Sequence, residues 1–432
     1  MANPEPEFPP PAGRFHGANA PRRARPSFDP DRTADPGELV AQVTPCFAAA
    51  GITRVAEVTA LDRIGIPVAI AVRPNSRSLS VSQGKGLSRD QAIASAVMEA
   101  LELAAAERLP ASLQRGTLSE IGARAASRGH AVFDMNTSTR CRLDRVRPDE
   151  SLYWIEGHEL SSGQPVIVPW ALVGIDYREA PEGFHTAFQV STDGLASGCT
   201  VDEAILHGLC ELVERDATAL LGFIPSDELS RRIYAVDLED GAEVFGLRQM
   251  IEAAGCRLTV IDMTSDIDVS AFTAIISDAA GDGALVARYA HSGGSGCHPS
   301  RALALKKAIV EAAQSRITRI TGSRDDLPAS TYAEAEGEEQ RSIAGLLSFA
   351  DRADPTARKG AASAAASPTE SVTSILGDLG RRGIRNVVVV PIPNDFGISV
   401  MRVIVPGLQT ELTGTRSKLG RRALIRLFGR LH

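Results

Sequence analysis

Three stretches of the sequence decide the fold: GLSRDQAIASAVMEALE (Gly86–Glu102), GCTVDEAILHGLCELVE (Gly198–Glu214) and HPSRALALKKAIVEAAQ (His298–Gln314). They can be laid over one another without a gap. All three are rich in alanine and leucine, which favour the α-helix, and their apolar residues recur at helical spacing. Each stretch therefore predicts a long helix, and the alignment predicts a threefold repeat.

The aligned helices carry acidic residues at the same positions. Glu99, Glu211 and Glu311 share one position, and three residues later come Glu102, Glu214 and Gln314. Residues at i and i+3 lie on one helical face, and a lone pair of glutamates there is most often a solvated acidic stripe. Apolar neighbours and recurrence on three helices argue for burial instead. Buried carboxylates need a cation, and oxygen ligands suit Mg²⁺, which in proteins most often holds phosphates. The pattern leaves metal–phosphate chemistry and an acidic surface both open.

The starts of the three helices also align. Ser88, Thr200 and Ser300 fall at one position, and serine and threonine are favoured N-cap residues. Gln91 and Glu203 lie three residues further on and predict capping boxes on the first two helices.

Basic and glycine residues beside these helices suggest a phosphate site. SQGKG (Ser82–Gly86) is not a Walker A sequence, but Lys85 between two glycines at a helix N-terminus suits a phosphate. Arg215 and Arg316 lie near the glutamates of the second and third helices. HSGGSGCHPS (His291–Ser300) predicts a glycine-rich entry to the third helix. Each signal alone is weak, because loop glycines and surface arginines are usually structural.

Short β-branched runs separate the helices and predict buried strands. They are PVAIAV (Pro67–Val72), RLTVIDM (Arg257–Met263), FTAIISD (Phe272–Asp278) and NVVVVPI (Asn386–Ile392). Strands that alternate with long helices predict a mixed α/β fold with strands packed against long helices.

The composition is that of a globular protein, with 44% hydrophobic and 23% charged residues. The net charge of −7 gives no reason to expect nucleic-acid binding. Six cysteines without a C-x-x-C pair predict reduced, mostly buried thiols. The sequence predicts neither a secretory signal nor a bilayer-spanning apolar stretch. We therefore expect a cytoplasmic protein that binds neither membranes nor nucleic acid.

Shifts in composition divide the chain. Residues 1–36 are rich in proline and arginine and predict a disordered tail. One domain is predicted over residues 37–416, with a flexible insertion at 353–372, ADPTARKGAASAAASPTESV. Residues 417–432 are basic and amphipathic, and they predict a C-terminal helix docked on the body, or a tail.

Four segments resemble the YcaO family, and the likeness runs from about residue 53 to residue 404. They are TRVAEVTALDRIGIPVAIAVRP (Thr53–Pro74), SQGKGLSRDQAIASAVMEALE (Ser82–Glu102), STDGLASGCTVDEAILHGLCELVERDA (Ser191–Ala217) and ALKKAIVEAAQSR (Ala304–Arg316). Two positions depart from the family pattern. Asp193 stands where asparagine is usual, and Gly208 stands at the first position of the motif S-x-x-E-x-x-E-R.

The resemblance implies an ATP site that is unrelated to the P-loop and is built on the three glutamate-bearing helices. The implied Mg²⁺ ligands are Glu99, Glu102, Glu211, Glu214 and Glu311, and the implied ATP-binding residues are Lys85, Ser95, Glu203, Arg215, Gln314 and Arg316. No catalytic residue is assigned. Family members use ATP to phosphorylate the oxygen of a peptide amide. Attack by a Cys, Ser or Thr side chain of the substrate then gives an azoline, whereas an external sulfide gives a thioamide.

Two further segments resemble the TfuA-associated branch of the family: EAAQSRITRITGSRDD (Glu311–Asp326) and VMRVIVPGLQTEL (Val400–Leu412). The chain ends in RLFGRLH, without the P-x-P-x-P tail typical of azoline-forming members. The resemblance implies thioamide formation on a peptide or protein substrate, in peptide natural-product biosynthesis or protein modification. The expected partners are that substrate, a TfuA-like protein or other sulfur donor, and a second copy of the chain in a homodimer. Azoline or amidine formation and a non-catalytic scaffold are the alternatives.

Overall fold

The computed structural model describes residues 31–278, 291–323, 366–410 and 418–428. The strands are β1 (Arg54–Glu57), β2 (Val68–Val72), β3 (Val81–Lys85), β4 (Gln114–Gly116), β5 (Ala131–Val132), β6 (Leu152–Glu159), β7 (Pro165–Pro169), β8 (Leu195–Gly198), β9 (Ile233–Tyr234), β10 (Cys256–Asp262), β11 (Ala271–Asp278), β12 (His291–Cys297), β13 (Val388–Pro391) and β14 (Ser399–Ile404). The helices are α1 (Pro36–Val43), α2 (Phe47–Ala50), α3 (Arg89–Ala106), α4 (Leu118–Ser127), α5 (Val201–Leu221), α6 (Ser226–Ser230), α7 (Ala242–Ala253), α8 (Arg301–Thr321), α9 (Pro368–Arg381) and α10 (Arg421–Phe428).

The strands form three sheets. Their orders are β1–β2–β3, then β12–β11–β10–β9, and then β5–β7–β6–β13–β14–β8 with β4 paired to β6. Neighbouring strands are antiparallel, and the short β5–β7 pair alone is parallel within the described ranges. The four β-branched runs lie in β2, β10, β11 and β13, as the sequence predicts. The mixed α/β class is confirmed.

Each sheet supports one of the three long helices. Helix α3 packs on β2 and β3, α5 packs on β8 and β14, and α8 packs on β11 and β12. In every case the helix follows directly after one of the strands on which it packs. A strand–helix unit therefore occurs three times, as β3–α3, β8–α5 and β12–α8, and the predicted repeat is a repeat of these units.

Glycine lets the first and third of these strands approach their helices closely. A Cβ on Gly84 would lie 2.1 Å from the carbonyl oxygen of Ala92 and from the amide nitrogen of Ala96. A Cβ on Gly294 would lie 2.1 Å from the amide nitrogen of Ala312. Since no side chain fits there, the strand backbone rests on the helix backbone. Both glycine-rich segments lead into their helices as the sequence indicates, and the structure adds that both are strands.

The N-cap prediction holds for two of the three helices. The side chain of Ser88 accepts a hydrogen bond from the backbone of α3, and that of Thr200 does the same for α5. Ser300 is the N-cap of α8, but its side chain makes no capping hydrogen bond. The third helix therefore begins without the local support that the alignment suggests.

The predicted capping boxes form in an altered way. In a capping box the third helical residue accepts a hydrogen bond from the N–H of the cap itself. Here Gln91 Oε1 accepts from the N–H of Leu87, and Glu203 Oε2 accepts from the N–H of Cys199. Both donors precede the cap by one residue. The hydrogen bond accepted by the third helical residue therefore connects the residue before the cap to the first turn of the helix.

The predicted N-terminal tail ends earlier than expected. Asp31 is 5% exposed and its carboxylate lies 3.4 Å from His298 Nε2. The N–H of Thr33 donates to Glu203 Oε1 at 2.5 Å, and Asp35 caps α1. The expected limit at residue 36 is thus wrong, because these contacts hold residues 31–36 on the body. Residues 1–30 lie outside the described part of the chain.

The predicted insertion also has a different limit. Helix α9 begins at Pro368, where Ser367 and Glu370 form a capping box. Residues 368–372 are therefore helical, and proline at the first helical position supports this start. Residues 353–365 of the expected insertion lie outside the described ranges.

The basic C-terminal segment contains α10, which packs against α5. Arg422 donates to Asp216 at 2.9 Å and to Asp266 at 2.6 Å. These ion pairs and the fully buried Ala423 dock the helix. Neither α10 nor another helix in the described ranges is long and apolar enough to cross a bilayer.

Candidate active site

The first glutamate of each long helix is held by the backbone beside it. Each one accepts a hydrogen bond from an N–H of the strand in its own strand–helix unit, or of the residue just before that strand. The pairs are Glu99 with Gln83 at 3.1 Å, Glu211 with Gly194 at 3.0 Å, and Glu311 with Ser295. The threefold repeat thus extends from the backbone to the orientation of the carboxylates.

Two basic side chains lie among the carboxylates. Lys85, at the end of β3, lies 2.6 Å from Glu311 of α8. It also interacts electrostatically with Glu99 and with Glu214 of α5. All three helices therefore contribute a carboxylate to the surroundings of one ammonium group.

Arg215 is the second of these basic groups. Its guanidinium lies 3.5 Å from Glu211, one turn earlier on α5, and 3.4 Å from Asp193. The side chain is about one third exposed, at 30%, as is that of Glu311. Solvent therefore reaches these charges.

The second position of the repeat completes the cluster. Glu102 is 8% exposed, interacts with Glu211, and is hydrogen-bonded to Ser197 of β8. Glu214 interacts with Glu311. Gln314 donates from Nε2 to the side chain of a β3 residue, Gln83, at 3.4 Å. The structure thus brings together all five glutamates expected to bind the metal.

Burial and mutual repulsion change the protonation of these groups. Burial, followed by the charge of Asp193, raises the pKa of Glu211 to about 7, although Arg215 opposes the change. Burial and the nearby Glu311 raise the pKa of Glu214 to about 8. Burial and Glu211 raise the pKa of Glu102 well above its usual value. Burial would raise the pKa of Glu311 too, but the contact with Lys85 brings it below the usual value. The cluster has more carboxylates than cations.

Two unsatisfied polar atoms suit a Mg²⁺–nucleotide complex. Arg215 Nε and Gln314 Oε1 are buried and make no hydrogen bond among the described residues, although Arg215 Nε lies 3.4 Å from the carboxylate of Asp193. Buried polar atoms usually make one. The potential ligands are all oxygens, as Mg²⁺ prefers. Within the described ranges, no three His, Cys, Asp or Glu side chains are already spaced as a metal site. Mg²⁺ often takes only one or two carboxylates together with phosphates and water, so the residues fit this group.

Four of the six residues expected to bind ATP lie at or beside the cluster. Lys85, Arg215 and Gln314 belong to it through the contacts above. Ser95 is half-buried and lies one turn before Glu99 on α3, so it occupies the same helical face.

The other two have different partners. Both carboxylate oxygens of Glu203 accept backbone hydrogen bonds, from Thr33 and Cys199. The guanidinium of Arg316 is bound by Asp62 at 3.1 Å and by Asp278 at 3.2 Å. Neither side chain is directed to a nucleotide by these contacts. The family resemblance implied a role for both in ATP binding, and it does not show that closer partners occupy them.

Sequence reasoning missed three features of the site. Gln83 contacts Glu99 through its backbone and Gln314 through its side chain. Asp193 was noted only as a departure from the family motif, yet it pairs with Arg215. Cys210 and Cys297 are buried and hydrogen-bonded to each other, although no spacing in the sequence marks them as a pair.

Comparison with known proteins agrees with this arrangement. The family model "YcaO cyclodehydratase, ATP- and Mg²⁺-binding" matches residues 83–409. A protein encoded in the tfuA 3′ region of Rhizobium leguminosarum bv. trifolii is 41% identical over 401 residues, which cover 91% of this chain and 92% of the relative. An uncharacterized protein of Methanothermobacter thermautotrophicus is 33% identical over 367 residues, 83% of this chain and 90% of the relative.

Solved structures share the fold at lower identity. YcaO from Methanopyrus kandleri, bound with AMPPCP and Mg²⁺, has a TM-score of 0.61 and 22% identity over 88% of this chain and 92% of its own. A heterocyclase in complex with substrate and cofactor has a TM-score of 0.68 and 21% identity over 92% of this chain. The present chain spans 55% of that heterocyclase.

Three strand–helix units that bring glutamates into one cleft define a class of ATP- and Mg²⁺-binding α/β proteins. The chain belongs to the YcaO family. The recognition made from its sequence motifs is confirmed, and the relative from the tfuA region supports the TfuA-associated branch.

Proposed function

We propose that the protein uses ATP and Mg²⁺ to activate a backbone amide of a peptide or protein, and that sulfur then replaces the amide oxygen to give a thioamide. A TfuA-type protein would act as its partner. The observation that carries the proposal is the cluster of five glutamates from three helices, in which Glu211 and Glu214 have pKa values raised to about 7 and 8. Such a cluster favours the arrival of a cation.

Within the proposed site, Glu99, Glu102, Glu211, Glu214 and Glu311 are the candidates to hold Mg²⁺. Lys85 and Arg215 lie among them and are suited to bind phosphate oxygens, while Gln314 and Ser95 offer hydrogen bonds. ATP supplies the phosphoryl group that converts the amide oxygen into a leaving group. The contribution of the protein is to neutralise charge and to hold the reacting groups in position.

Glu214 also has a proposed part in handling protons. A carboxyl with a pKa of about 8 holds a proton at neutral pH, and it releases the proton when a cation comes near. Lys85 neutralises Glu311 in the absence of ligand. Lys85 also interacts with Glu99 and Glu214. If a bound Mg²⁺ compensated the charge of these carboxylates, Lys85 would be available to bind a phosphate.

The proposal favours a thioamide over an azoline. It is supported by the 41% identical relative encoded in the tfuA 3′ region and by the segments that resemble the TfuA-associated branch. Azoline formation remains the second candidate, because the family model describes cyclodehydratases and a heterocyclase shares the fold.

Mass spectrometry separates the two products. Peptides and proteins encoded next to the gene are incubated with the protein, ATP, Mg²⁺, a TfuA-type partner and isotopically labelled sulfide. We expect one labelled sulfur to replace one oxygen in the backbone for each phosphate released. Loss of water from a Cys, Ser or Thr residue without uptake of label would assign the protein to the azoline branch.

Two matched glutamate variants test whether the cluster performs the reaction. Glu214→Gln should lower the rate of ATP-dependent product formation by about 10²–10³-fold. Glu252→Gln is the control, because this glutamate lies on α7 and is 48% exposed beside Arg248. Equal rates for both variants would contradict the assignment of the site.

A further inference from the structure

A cavity next to the glutamate cluster is lined in part by Asp193. Its empty volume is about 440 Å³, including solvent at its mouth, and its walls include Arg140, Asp193, Leu212, Val405 and Gln409. Asp193 lines the cavity and also pairs with Arg215, which in turn contacts Glu211. Asp193 therefore connects the cavity with the proposed active site.

Arg140 is the unusual residue in this cavity. It is 7% exposed, and its Nε donates to the carbonyl oxygen of Gln189 at 3.1 Å. Its Nη2 is buried and has no hydrogen-bond partner within the described ranges. Burial of an unsatisfied donor on a charged group costs a few kcal/mol. A guanidinium in this condition is suited to a ligand that accepts a hydrogen bond.

The surrounding charges favour an anion as that ligand. Arg402 is fully buried, and its donors are used by the carbonyl oxygens of Val173 and Asp193. Its positive charge adds to that of Arg140, and burial together with Arg140 lowers the pKa of Arg402 to about 9. The cavity wall also carries Asp193, which interacts electrostatically with both arginines. Glu211 is the next acidic group near Arg140, and Arg215 partly balances it.

The remaining walls limit which anion can bind. Leu172, Leu212, Val405 and Leu408 line the cavity, and the Thr139 hydroxyl is paired with that of Thr410 at 3.0 Å. A guanidinium is weakly hydrated, and apolar walls cannot replace the water shell of a strongly hydrated ion. Of the two arginines, Arg140 lines the cavity and Arg402 interacts electrostatically with Arg140. With Glu211 paired to Arg215, the charges of Arg140, Arg402 and Asp193 leave about one positive charge. The cavity therefore suits a weakly hydrated anion with a single negative charge.

We propose that this cavity is an anion subsite built on Arg140, and that it holds the hydrosulfide ion consumed in thioamide formation. The identity of the ion rests on the proposed function, whereas the existence of an anion subsite does not. The hydrosulfide sulfur forms a bond to the amide carbon, and the carbon–oxygen bond breaks. The oxygen leaves in inorganic phosphate with the hydrosulfide proton, as ATP becomes ADP. No oxidant or reductant is required.

Bromide is a suitable probe, since it is a weakly hydrated monovalent anion that does not react. The full chain is titrated into sodium bromide, and the width of the bromide NMR signal is followed. We expect excess broadening that sodium hydrosulfide removes by competition. The apparent affinity for bromide, obtained from this broadening, should be about 10–100-fold lower in Arg140→Gln, since a hydrogen bond to a charged group is lost. Arg128→Gln, on an exposed arginine, should behave as the unmodified protein.

A crystal of the unmodified protein soaked in sodium bromide removes any doubt about folding of the variant. An anomalous peak beside Arg140 is expected. Absence of that peak, or equal broadening in Arg140→Gln and Arg128→Gln, would overturn the subsite. Failure of hydrosulfide to compete with bromide would overturn its assignment to hydrosulfide.

Activity separates this proposal from the proposed function. If thioamide forms, Arg140→Gln should raise the KM for hydrosulfide by about 10–100-fold and leave the KM for ATP nearly unchanged. An unchanged KM for hydrosulfide would contradict the proposed subsite but not the proposed thioamide formation. Competitive bromide binding at Arg140, without label entering any backbone, would support an anion subsite and contradict thioamide formation.

Discussion

Lys85 Nζ and Glu311 Oε2 lie 2.6 Å apart and join the first strand–helix unit to the third. Both side chains are about one quarter exposed, at 26% and 30%. Because Lys85 also interacts with Glu99 and Glu214, its charge compensates carboxylates from all three helices. In the protein without bound cofactors, this contact therefore connects the first strand–helix unit to the third.

A double-mutant cycle on Lys85→Met and Glu311→Gln measures that contact. We expect each single change to lower the free energy of unfolding, and the double change to lower it by less than their sum. The interaction energy should be about 1 kcal/mol, since both groups are partly exposed. The exposed Arg248–Glu252 pair, 2.7 Å apart on α7, is the matched control and should give about 0.3–0.5 kcal/mol. Equal values for the two pairs would show that the position among the carboxylates adds nothing.

Metal-dependent nucleotide binding should depend on pH in a defined direction. The pKa values of Glu211 and Glu214 are raised to about 7 and about 8, so both carry protons at low pH. Since Mg²⁺ binds the carboxylate form, the affinity for Mg²⁺–ATP should rise with pH up to about 8. Calorimetry in buffers of different ionisation enthalpy should detect proton release on binding. Binding that is independent of pH would contradict these protonation states.

The same shifts predict how the stability of the free protein varies with pH. A carboxyl whose pKa is higher in the folded state stabilises the fold when it is protonated. This stabilisation is complete below the usual value of 4.5 and is lost as pH rises through about 8 for Glu214. The melting temperature should therefore fall over this range, and fall less in Glu214→Gln. A parallel decline in both proteins would contradict the prediction.

Close packing of strand on helix predicts opposite results for two glycine substitutions. Gly294→Ala should destabilise the protein by about 1–3 kcal/mol or more, because its Cβ would lie 2.1 Å from the backbone nitrogen of Ala312. Gly246→Ala should stabilise it by up to about 1 kcal/mol, since Gly246 lies within α7 and a Cβ there meets no atom within 4 Å. Chemical denaturation measures both, and a neutral Gly294→Ala would mean that the close contact is absent.

Two truncations test the corrected limit of the N-terminal segment. Removal of residues 1–30 leaves the contacts of Asp31 and Thr33 and the cap at Asp35 in place, so the melting temperature should change little. Removal of residues 1–35 deletes a helix cap and two buried polar contacts. It should lower the melting temperature by several degrees. The same melting temperature for both would show that residues 31–35 are not part of the folded body.

The sequence predicted the long helices and the position of their glutamates because these depend on helical spacing, which is a local property. The predicted strands were found for the same reason. Glycine-rich β3 and β12 were not predicted as strands because glycine has low strand propensity. Only the helix packed against them explains the glycines, as the contact of Gly294 with Ala312 shows.

Partners distant in sequence could not be predicted. Arg316 was expected to bind ATP from its place near the glutamate of the third helix and from the family resemblance, yet Asp62 and Asp278 bind it. Asp193 pairs with Arg215 from a different element. Spacing gives the helical face on which a residue lies, whereas the element that meets that face depends on tertiary packing. The raised pKa values of the glutamates could not be predicted either, because they depend on burial.

A crystal structure with AMPPCP and Mn²⁺ in place of Mg²⁺ tests the central claim most directly. The anomalous signal of Mn²⁺ locates the metal without reference to the rest of the electron density. We expect the ion within about 2.0–2.5 Å of carboxylate oxygens from the set Glu99, Glu102, Glu211, Glu214 and Glu311, with the phosphates close to Lys85 and Arg215. A nucleotide and metal bound elsewhere on the protein, with Lys85 still paired to Glu311, would contradict the account.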